Sequence, residues 1–256
     1  MAYFKVEYFS EALHRRTTFD VLIPNDLREP SEYGDRPMKT LFLLHGYTGN
    51  AKNWVPAGLP EKYNFAIVMP SAENSFYLNG LSTGHAFQDL VGVELVEYVR
   101  KTFGLAKRPE DTGIAGLSMG GFGALHTGLA YPETFGMIGA LSSALIVHGI
   151  AHMKPEDENP VANYAYYHEC FGDLETVEER DVNPEVLAKK LKEAGGPMPK
   201  IYMACGTEDG LLEPNRQMHR FLEAEGIEHE YHEGPGVHDM VFWHEYIAKV
   251  IPWMFG

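Results

Sequence analysis

The ten residues Ile114–Gly123, with the sequence IAGLSMGGFG, decide the fold class of this chain. They contain the pattern Gly-x-Ser-x-Gly at Gly116–Gly120. The apolar run Thr112–Gly116 predicts a buried strand before the serine, and Met119–Ala130 predicts a helix after it. In this setting the serine occupies a sharp strand-to-helix turn that projects its hydroxyl outward, and a side chain at either glycine of the pattern would collide. The position of the pattern between a strand and a helix, more than the pattern itself, predicts a nucleophile at Ser118.

Strands and helices alternate on both sides of this turn. The apolar patterns predict strands at Thr17–Ile23, Leu41–Leu44, Phe65–Met69, Thr112–Gly116, Met137–Leu141 and Ile201–Cys205. The amphipathic patterns predict helices at Leu90–Phe103, Met119–Ala130, Pro184–Glu193, Pro214–Glu225 and Asp239–Phe255. Pro252 should end or kink the last helix. This alternation is typical of an α/β fold with a mostly parallel central sheet and helices on both faces.

The chain is expected to form one domain over residues 1–256, because no internal repeat or charged linker divides it. Residues 143–198 break the alternation, since this segment is long, acidic and rich in Tyr, His and Pro. Insertions in α/β folds lie above the carboxyl ends of the strands, where ligands bind. We therefore interpret residues 143–198 as a cap-like insertion over the rim of the binding site.

The charge of the chain excludes two classes of partner. There are 21 Lys and Arg against 36 Asp and Glu, which gives a formal net charge of −15 at pH 7. Proteins that bind nucleic acid without regard to sequence, or that dock on anionic lipid, need a basic surface. We expect no nucleic-acid and no membrane partner, and a small molecule as substrate. The sequence leaves open whether the chain forms a homo-oligomer.

The compartment is predicted from three features. No apolar run approaches the roughly 18–20 residues that span a bilayer. The first residues carry Lys5 and Glu7 in an alternating pattern, which is typical of an edge strand rather than of a signal peptide. The two cysteines, Cys170 and Cys205, make no disulfide framework, so we expect both to be reduced. These features predict a cytoplasmic protein.

The histidines do not form a metal motif. The chain has neither paired C-x-x-C motifs nor H-E-x-x-H. His229 and His232 are three apart in an alternating segment, where their side chains would point to opposite faces of a strand. A solvated strand face is favoured over a pair of ligands. We expect no metal and no cofactor.

A serine hydroxyl is a weak nucleophile and needs a base within hydrogen-bond reach. In folds with this serine turn, the partners follow in the order serine, acid, histidine. The predicted strand Ile201–Cys205 is followed by GTEDG at 206–210, which puts a carboxylate at the same edge of the sheet as the serine. A glycine-rich loop, GPGVHD at 234–239, precedes the last helix. The candidate catalytic residues are therefore Ser118, Asp209 and His238.

Other residues compete for these roles. Glu208 adjoins Asp209 and is the alternative acid. His232 and His244 are the alternative bases, although the first lies in a strand-like segment and the second within a helix, where a surface or packing role is favoured. The alternative to the whole assignment is that the glycine-rich turn at Ser118 is only structural and has no catalytic function.

Stabilisation of an oxyanion requires a pair of N–H donors. The sequence LLHGYTG at 43–49 follows an early predicted strand and can turn its backbone toward Ser118. We expect the backbone N–H groups of Tyr47 and Met119 to be the donors. His45 is interpreted as a structural residue of this loop. Trp54 is a candidate wall of the substrate pocket, with core packing as the favoured alternative.

Four stretches resemble one known family: LLHGYTGN at 43–50, GLSMGGFGAL at 116–125, CGTED at 205–209 and GVHD at 236–239. They are similar to the esterase D group of α/β-hydrolases, which contains tributyrin-type short-chain esterases, S-formylglutathione hydrolases and related feruloyl or acetyl esterases. The similarity runs from about residue 3 to the C-terminus, loosely over 143–198. KVEYFS at 5–10 looks most like the bacterial tributyrin esterases. The resemblance implies an α/β-hydrolase fold and an acyl-enzyme, with Ser118, Asp209 and His238 at the matching triad positions.

One departure bears on the substrate. In S-formylglutathione hydrolases the stretch after the early strand resembles L-T-C-T, whereas the corresponding residues here, Tyr47–Gly49, contain no cysteine. We therefore predict a serine carboxylesterase that hydrolyses short-chain acyl esters. The alternatives are a feruloyl or acetyl esterase acting on plant-polysaccharide esters, an S-formylglutathione hydrolase, and a ligand-binding protein on a hydrolase scaffold, which fold alone does not exclude.

Overall fold

The computed structural model describes residues 1–25 and 31–256. The described part of the chain forms an eight-stranded sheet with the strand order β1-β2-β4-β3-β5-β6-β7-β8. The strands are β1 (Ala2–Ser10), β2 (Arg15–Ile23), β3 (Lys39–Leu44), β4 (Phe65–Pro70), β5 (Thr112–Leu117), β6 (Met137–Leu141), β7 (Lys200–Gly206) and β8 (Glu230–Gly234). β2 pairs antiparallel with β1 and with β4, and the pairs from β4 to β8 are all parallel.

The helices of the described residues connect these strands. They are α1 (Leu59–Tyr63), α2 (Phe87–Asp89), α3 (Leu95–Phe103), α4 (Met119–Ala130), α5 (Val147–Ile150), α6 (Tyr164–Phe171), α7 (Pro184–Glu193), α8 (Leu212–Ala224) and α9 (Met240–Phe255). A π-helical turn, Leu90–Glu94, joins α2 to α3, and short 3₁₀ turns lie at Pro109–Asp111 and Val177–Glu179.

The core lies on both faces of the sheet, because successive strand residues point to opposite sides. In β5, for example, Ile114 packs on the face covered by α3, α4, α7 and α8, whereas Ala115 and Leu117 pack on the face covered by α1 and α9. All six residues of β5 are buried. The mostly parallel sheet with helices on both faces is the α/β-hydrolase fold predicted from the sequence.

The predicted strands are present within two residues of their expected bounds, and β1 lies at an edge of the sheet as expected. The predicted helix Leu90–Phe103 differs, because the helical segment begins at Phe87 and contains the π-helical turn. Within that turn Gly92 lies against the Tyr131 ring, where an added Cβ would come within 2.2 Å. The periodicity of apolar residues in Leu90–Phe103 does not predict this contact, because Tyr131 lies far away in the sequence.

Of the two outcomes expected at Pro252, an end of the helix does not occur, because α9 continues through this residue to Phe255. A proline removes one helical hydrogen bond. Beyond it, however, Met254 and Phe255 are buried against the sheet, and the Pro252 carbonyl accepts a hydrogen bond from the Gly256 N–H. Packing of the last turn therefore outweighs the lost bond.

The segment 143–198 divides into two parts. Ala144, Ile146, Val161 and Tyr167 face the pocket described below. The later α7 instead packs against α4 and α8, with Ala188 fully buried in the core. The first half of the segment thus approaches the binding site, and the second half extends the helical layer.

Both cysteines are free, as predicted, and both are buried. Burial raises the pKa of Cys170 to about 11 and that of Cys205 to about 12, so both are thiols at neutral pH. None of the helices in the described ranges has the length and apolar character required to cross a membrane.

Candidate active site

Ser118 lies at the turn between β5 and α4 with φ 55° and ψ −119°, a conformation that non-glycine residues rarely adopt. Hydrogen bonds at both the N–H and the carbonyl of Ser118 hold this conformation. The Ser118 N–H donates to the Leu141 carbonyl at 2.9 Å, and the Ser118 carbonyl accepts from the Ala144 N–H at 3.0 Å. The turn is therefore fixed by the last residue of β6 and by the segment that follows it.

The two glycines that flank the serine are required by close backbone approach. A Cβ on Gly116 would lie 2.2 Å from the Gly120 carbonyl oxygen. A Cβ on Gly120 would lie 2.6 Å from the carbonyl oxygens of Leu44 and His45. This is the collision expected from the sequence pattern, and it accounts for the spacing Gly-x-Ser-x-Gly.

The structure brings Ser118, Asp209 and His238 together. They follow β5, β7 and β8 respectively, and the carboxyl ends of these parallel strands lie at one edge of the sheet. His238 Nε2 lies 2.9 Å from Ser118 Oγ, and His238 Nδ1 lies 2.8 Å from Asp209 Oδ2. These are hydrogen-bond distances. The arrangement can transfer a proton from the serine hydroxyl to an imidazole that a carboxylate orients.

Asp209 is buried, and its carboxylate is held by several donors. Oδ1 accepts the Leu211 N–H at 2.8 Å, in addition to the bond between Oδ2 and His238. Burial pushes the pKa of the carboxyl upward, but the hydrogen bonds from His238 and from the Leu211 N–H outweigh burial and leave the pKa below its usual value. Asp209 is therefore ionised at neutral pH, as a group that orients an imidazole must be.

The loop after β3 lies against the serine. A Cβ on Gly46 would lie 3.5 Å from Ser118 Cβ. Within this loop the Gly49 N–H donates to the Gly46 carbonyl at 3.0 Å, and the Thr48 N–H donates to Asn74 Oδ1 at 2.7 Å. The N–H of Tyr47 donates to no group among the described residues.

The second predicted donor is also without a partner. The N–H of Met119 has no acceptor in the described chain, because Met119 is the first residue of α4, where the backbone N–H groups have no intrahelical acceptor. The Tyr47 and Met119 N–H groups are thus both available beside the serine.

His45 supports this loop. Its Nδ1–H donates to the Gly46 carbonyl at 2.8 Å, and its Nε2 accepts the Ala72 N–H at 3.0 Å. Burial lowers the pKa of His45, which keeps the ring neutral. The structural interpretation of His45 agrees with these bonds.

A pocket of about 1050 Å³ opens above Ser118. Asp209, His238, Tyr47 and Met119 also contribute to its lining. The walls are mainly apolar and include Trp54, Phe76, Ile146, Val161, Tyr167 and Trp243. Trp54 both lines the pocket and packs into the core, with 8% of its surface exposed, so the two interpretations of this residue are compatible.

The competing residues make other contacts than those of Asp209 and His238. Glu208 is exposed and accepts the Gly236 N–H at 2.7 Å, and this hydrogen bond lowers its pKa. Its carboxylate therefore fixes the loop that carries His238. His232 stacks on Tyr202 and bonds to Glu230, whereas His244 lies exposed at the rim of the pocket. Among these histidines it is His238 that accepts the hydrogen bond from the Ser118 hydroxyl.

The histidines of the described residues do not assemble a metal site. His229 Nε2 lies 2.7 Å from His219 Nδ1, whereas His232 bonds to Glu230, so His229 and His232 do not share a partner. Residues 1–25 and 31–256 contain no group of three or more His, Cys, Asp or Glu side chains suited to a metal ion.

Three residues that support the site were not identified from the sequence. Asn74 accepts the Thr48 N–H, and the Tyr77 hydroxyl donates to the His45 carbonyl at 2.8 Å. Trp243 contacts the His238 ring edge-on, with ring centroids 4.9 Å apart. Trp243 lies within the predicted helix Asp239–Phe255, whose pattern indicates a buried face but no contact with His238. Asn74 and Tyr77 lie in a loop whose local sequence carries no such pattern.

Comparisons with known proteins show the family of the chain. The model of the Esterase family matches residues 10–254. The chain is 42% identical over 261 residues to an acetyl esterase of Caldicellulosiruptor saccharolyticus, an alignment that covers 99% of this chain and 98% of the relative.

Two solved structures from Staphylococcus aureus are similar over their whole length. The substrate-bound fluorophosphonate-binding serine hydrolase FphF gives a TM-score of 0.86 at 26% identity, covering 100% of this chain and 98% of that one. The S-formylglutathione hydrolase FrmB gives a TM-score of 0.83 at 25% identity, covering 100% and 99%. With a family match over nearly the whole chain and a relative of the same extent, the chain belongs to the esterase family and is a carboxylic ester hydrolase.

Proposed function

We propose that the protein hydrolyses short-chain acyl esters through an acyl-enzyme on Ser118, with His238 as general base and acid and Asp209 as the orienting carboxylate. The observation that carries this proposal is the pair of hydrogen bonds made by His238. They measure 2.9 Å to Ser118 Oγ and 2.8 Å to Asp209 Oδ2. Both bonds lie beside a pocket large enough for an ester.

In the first half of the reaction His238 Nε2 takes the proton of the Ser118 hydroxyl as the oxygen attacks the ester carbonyl. The carbonyl oxygen becomes an anion, which the backbone N–H groups of Tyr47 and Met119 stabilise. Asp209 keeps the proton on Nδ1 of the imidazole and stabilises the imidazolium without itself becoming protonated. The C–O bond to the alcohol then breaks, and His238 protonates the departing oxygen.

In the second half a water molecule replaces the alcohol. His238 removes a proton from this water, which attacks the acyl carbonyl, and the same N–H groups hold the second oxyanion. The bond between the acyl group and Ser118 Oγ breaks, and the proton returns from His238 to the serine. The products are the free acid and the free alcohol.

A short acyl group is supported by the relative named acetyl esterase, which extends over the same length as this chain. The wide pocket favours a second candidate, an ester with an aromatic or otherwise bulky part such as the feruloyl esters of plant polysaccharides. Trp54, Tyr167 and Trp243 provide flat apolar walls for such a group. The glutathione thioester is less favoured because the oxyanion loop has Tyr47–Gly49 in place of a cysteine-containing stretch.

A panel of substrates separates these candidates. Rates on p-nitrophenyl acetate, butyrate and octanoate are compared with rates on methyl ferulate and S-formylglutathione. Highest kcat/KM on acetate or butyrate supports the main proposal, and highest kcat/KM on methyl ferulate supports the second candidate.

The nucleophile is tested by Ser118→Ala. We expect kcat on p-nitrophenyl acetate to fall by about 10⁴-fold or more, because the covalent route is removed. Covalent labelling by a fluorophosphonate probe should disappear at the same time. Ser10→Ala, a buried serine in the edge strand β1, is the matched control and should keep both properties. Full turnover by a folded Ser118→Ala variant would exclude the acyl-enzyme, and a wild-type chain that neither labels nor turns over would instead support a binding protein.

We further propose that residues 143–198 act as an insertion within a single domain and that the protein works in the cytoplasm. The first proposal is supported by the wall residues that this segment contributes to the pocket. The second is supported by two free, buried thiols.

A further inference from the structure

Asn215, in the first turn of α8, is a fully buried amide whose hydrogen-bonding groups all contact backbone. Its Nδ2 donates to the carbonyl oxygens of Ser143 at 2.9 Å and of Leu211 at 2.8 Å. Its Oδ1 accepts the Ser143 N–H at 3.2 Å. One side chain therefore joins the segment after β6 to the segment after β7.

Each of the two carbonyls belongs to a peptide group that also holds a proposed triad residue. The Ser143–Ala144 peptide presents its carbonyl to Asn215 and donates its N–H to the Ser118 carbonyl at 3.0 Å. The Leu211–Leu212 peptide likewise presents its carbonyl to Asn215, and its N–H donates to the Asp209 carbonyl at 3.0 Å. Through these two peptide groups, the two hydrogens on Asn215 Nδ2 link Ser118, the proposed nucleophile, to Asp209, which orients the proposed base.

The bonds close a ring through the site. From Ser118 the ring runs through His238 to Asp209, whose carbonyl bonds to the Leu212 N–H, and then through Asn215 and the Ser143–Ala144 peptide back to Ser118. In the sheet, β6 separates β5 from β7, so no strand pairing joins the serine turn directly to the acid loop. Asn215 supplies a short connection between them.

We propose that Asn215 is a positioning residue, which fixes the distance between Ser118 and Asp209 and so keeps His238 in bonding reach of both. This inference rests on the proposed roles of those three residues. An amide suits this position because its nitrogen donates two hydrogen bonds and its oxygen accepts one, which matches the two carbonyls and the Ser143 N–H. A carboxylate of the same shape has no donor and would face two carbonyl oxygens. Displacement of a reacting group by about 1 Å can reduce the rate by about 10²-fold.

The test is Asn215→Asp, with Asn64→Asp as the matched control. Asn64 is also buried, and its Nδ2 likewise donates to two backbone carbonyls, those of Tyr33 and Arg36, each at 3.2 Å. It lies before β4, at the end of the sheet away from Ser118. Both substitutions remove two donated bonds from a buried amide, so both should lower the melting temperature.

The two variants should differ in catalysis. We expect Asn215→Asp to lower kcat on p-nitrophenyl acetate by about 10- to 100-fold with KM within about threefold, because the substrate pocket itself is unchanged. Labelling by a fluorophosphonate should slow in parallel. Asn64→Asp should keep kcat and the labelling rate within about twofold. Asn215→Ser, which replaces the amide by a shorter hydroxyl with a single donor and adds no buried charge, should show the same loss when turnover is expressed per folded molecule.

Three outcomes are decisive. If the Asn215 variants lose thermal stability but keep kcat, as the Asn64 variant does, the residue is structural only and the inference is wrong. If both sites lose kcat equally, the loss reflects general destabilisation, and the inference is again wrong. If Ser118→Ala still turns over, the proposed function fails by itself, whatever the Asn215 variants do.

Discussion

Tyr47 contributes to the site through its backbone and through its ring, and the two contributions are separable. The backbone N–H is the proposed oxyanion donor, which no substitution except proline removes. The ring packs edge-on against Tyr166, with centroids 5.8 Å apart. It lies between the catalytic pocket and a second pocket of about 360 Å³ lined by Asn74, Leu78 and Cys170, among others. The ring therefore limits the space available to a substrate.

Tyr47→Ala should join the two pockets and shift the preference toward longer acyl chains. We expect the ratio of kcat/KM for p-nitrophenyl octanoate to that for the acetate to rise by about 10-fold, a gain equal to that of one or two buried methylene groups. Tyr47→Phe, which retains the ring, should keep the wild-type ratio. An unchanged ratio in Tyr47→Ala would mean that the second pocket takes no part in substrate binding.

At the scale of elements, the start of α9 determines where the proposed base lies. Asp239 directly follows His238 and is the N-cap of α9, with its Oδ1 accepting the N–H groups of Val241 at 3.0 Å and Phe242 at 3.1 Å. The same helix carries Trp243, which contacts the imidazole. The cap thus joins the loop that carries His238 to a helix whose far end is buried in the core.

Replacement of this cap should affect stability and catalysis together. Asp239→Ala should lower the free energy of unfolding by about 1 kcal/mol, the usual cost of losing an N-cap side chain. It should also lower kcat, because the loop before the helix is held less firmly. Asp239→Asn retains an oxygen acceptor and should restore most of both properties. Urea unfolding and initial rates measure the two effects, and an Ala variant as stable as the wild type would contradict the role of the cap.

At the scale of the whole molecule, His126 makes stability depend on pH. It is buried on α4, stacks on Phe122, and donates through Nε2–H to the Asp181 carbonyl at 2.9 Å. Burial lowers its pKa from 6.5 to about 4, against a smaller opposing effect of Asp181. Between these two values the unfolded chain binds a proton that the folded chain does not. The free energy of unfolding therefore falls as the pH is lowered through this range.

His126→Gln should remove this dependence while it preserves a donor toward Asp181. In the wild type the contribution of His126 amounts to about 3 kcal/mol between pH 6.5 and pH 4, at 1.36 kcal/mol for each pKa unit. We expect the variant to lose less stability than the wild type over that range, as measured by urea unfolding at several pH values.

His148→Gln provides a control of opposite sign. Burial lowers the pKa of His148, but hydrogen bonds to Glu178 and Glu185 outweigh burial and raise it. The stability that His148 contributes is therefore complete at low pH and is lost as the pH rises through its folded-state pKa. Its removal should change the pH dependence only above pH 6.5, where the stability that His148 contributes falls with rising pH, and should leave the dependence between pH 6.5 and pH 4 unchanged. Parallel curves for the wild type and the His126 variant would contradict the assignment.

The sequence by itself determined the fold class and the candidate residues of the site. Gly116 and Gly120 are dictated by contacts with backbone close to Ser118, and the apolar strand and the helix beside them are properties of local sequence. The order of Ser118, Asp209 and His238 along the chain follows from the order of the strands that precede them. Such features can be predicted from the amino-acid sequence, because short-range sterics and hydrophobic periodicity act between residues that are close in the chain.

Only the tertiary structure decided which side chains meet. Asp209 and Glu208 are adjacent in sequence, yet one bonds to His238 and the other to the Gly236 N–H, because the turn after β7 directs them differently. The π-helical turn before α3, the continuation of α9 through Pro252 and the bonds of Asn215 likewise arise from contacts between distant segments. Local pattern carries no record of these contacts, since each depends on packing that forms only when the sheet and its helices assemble.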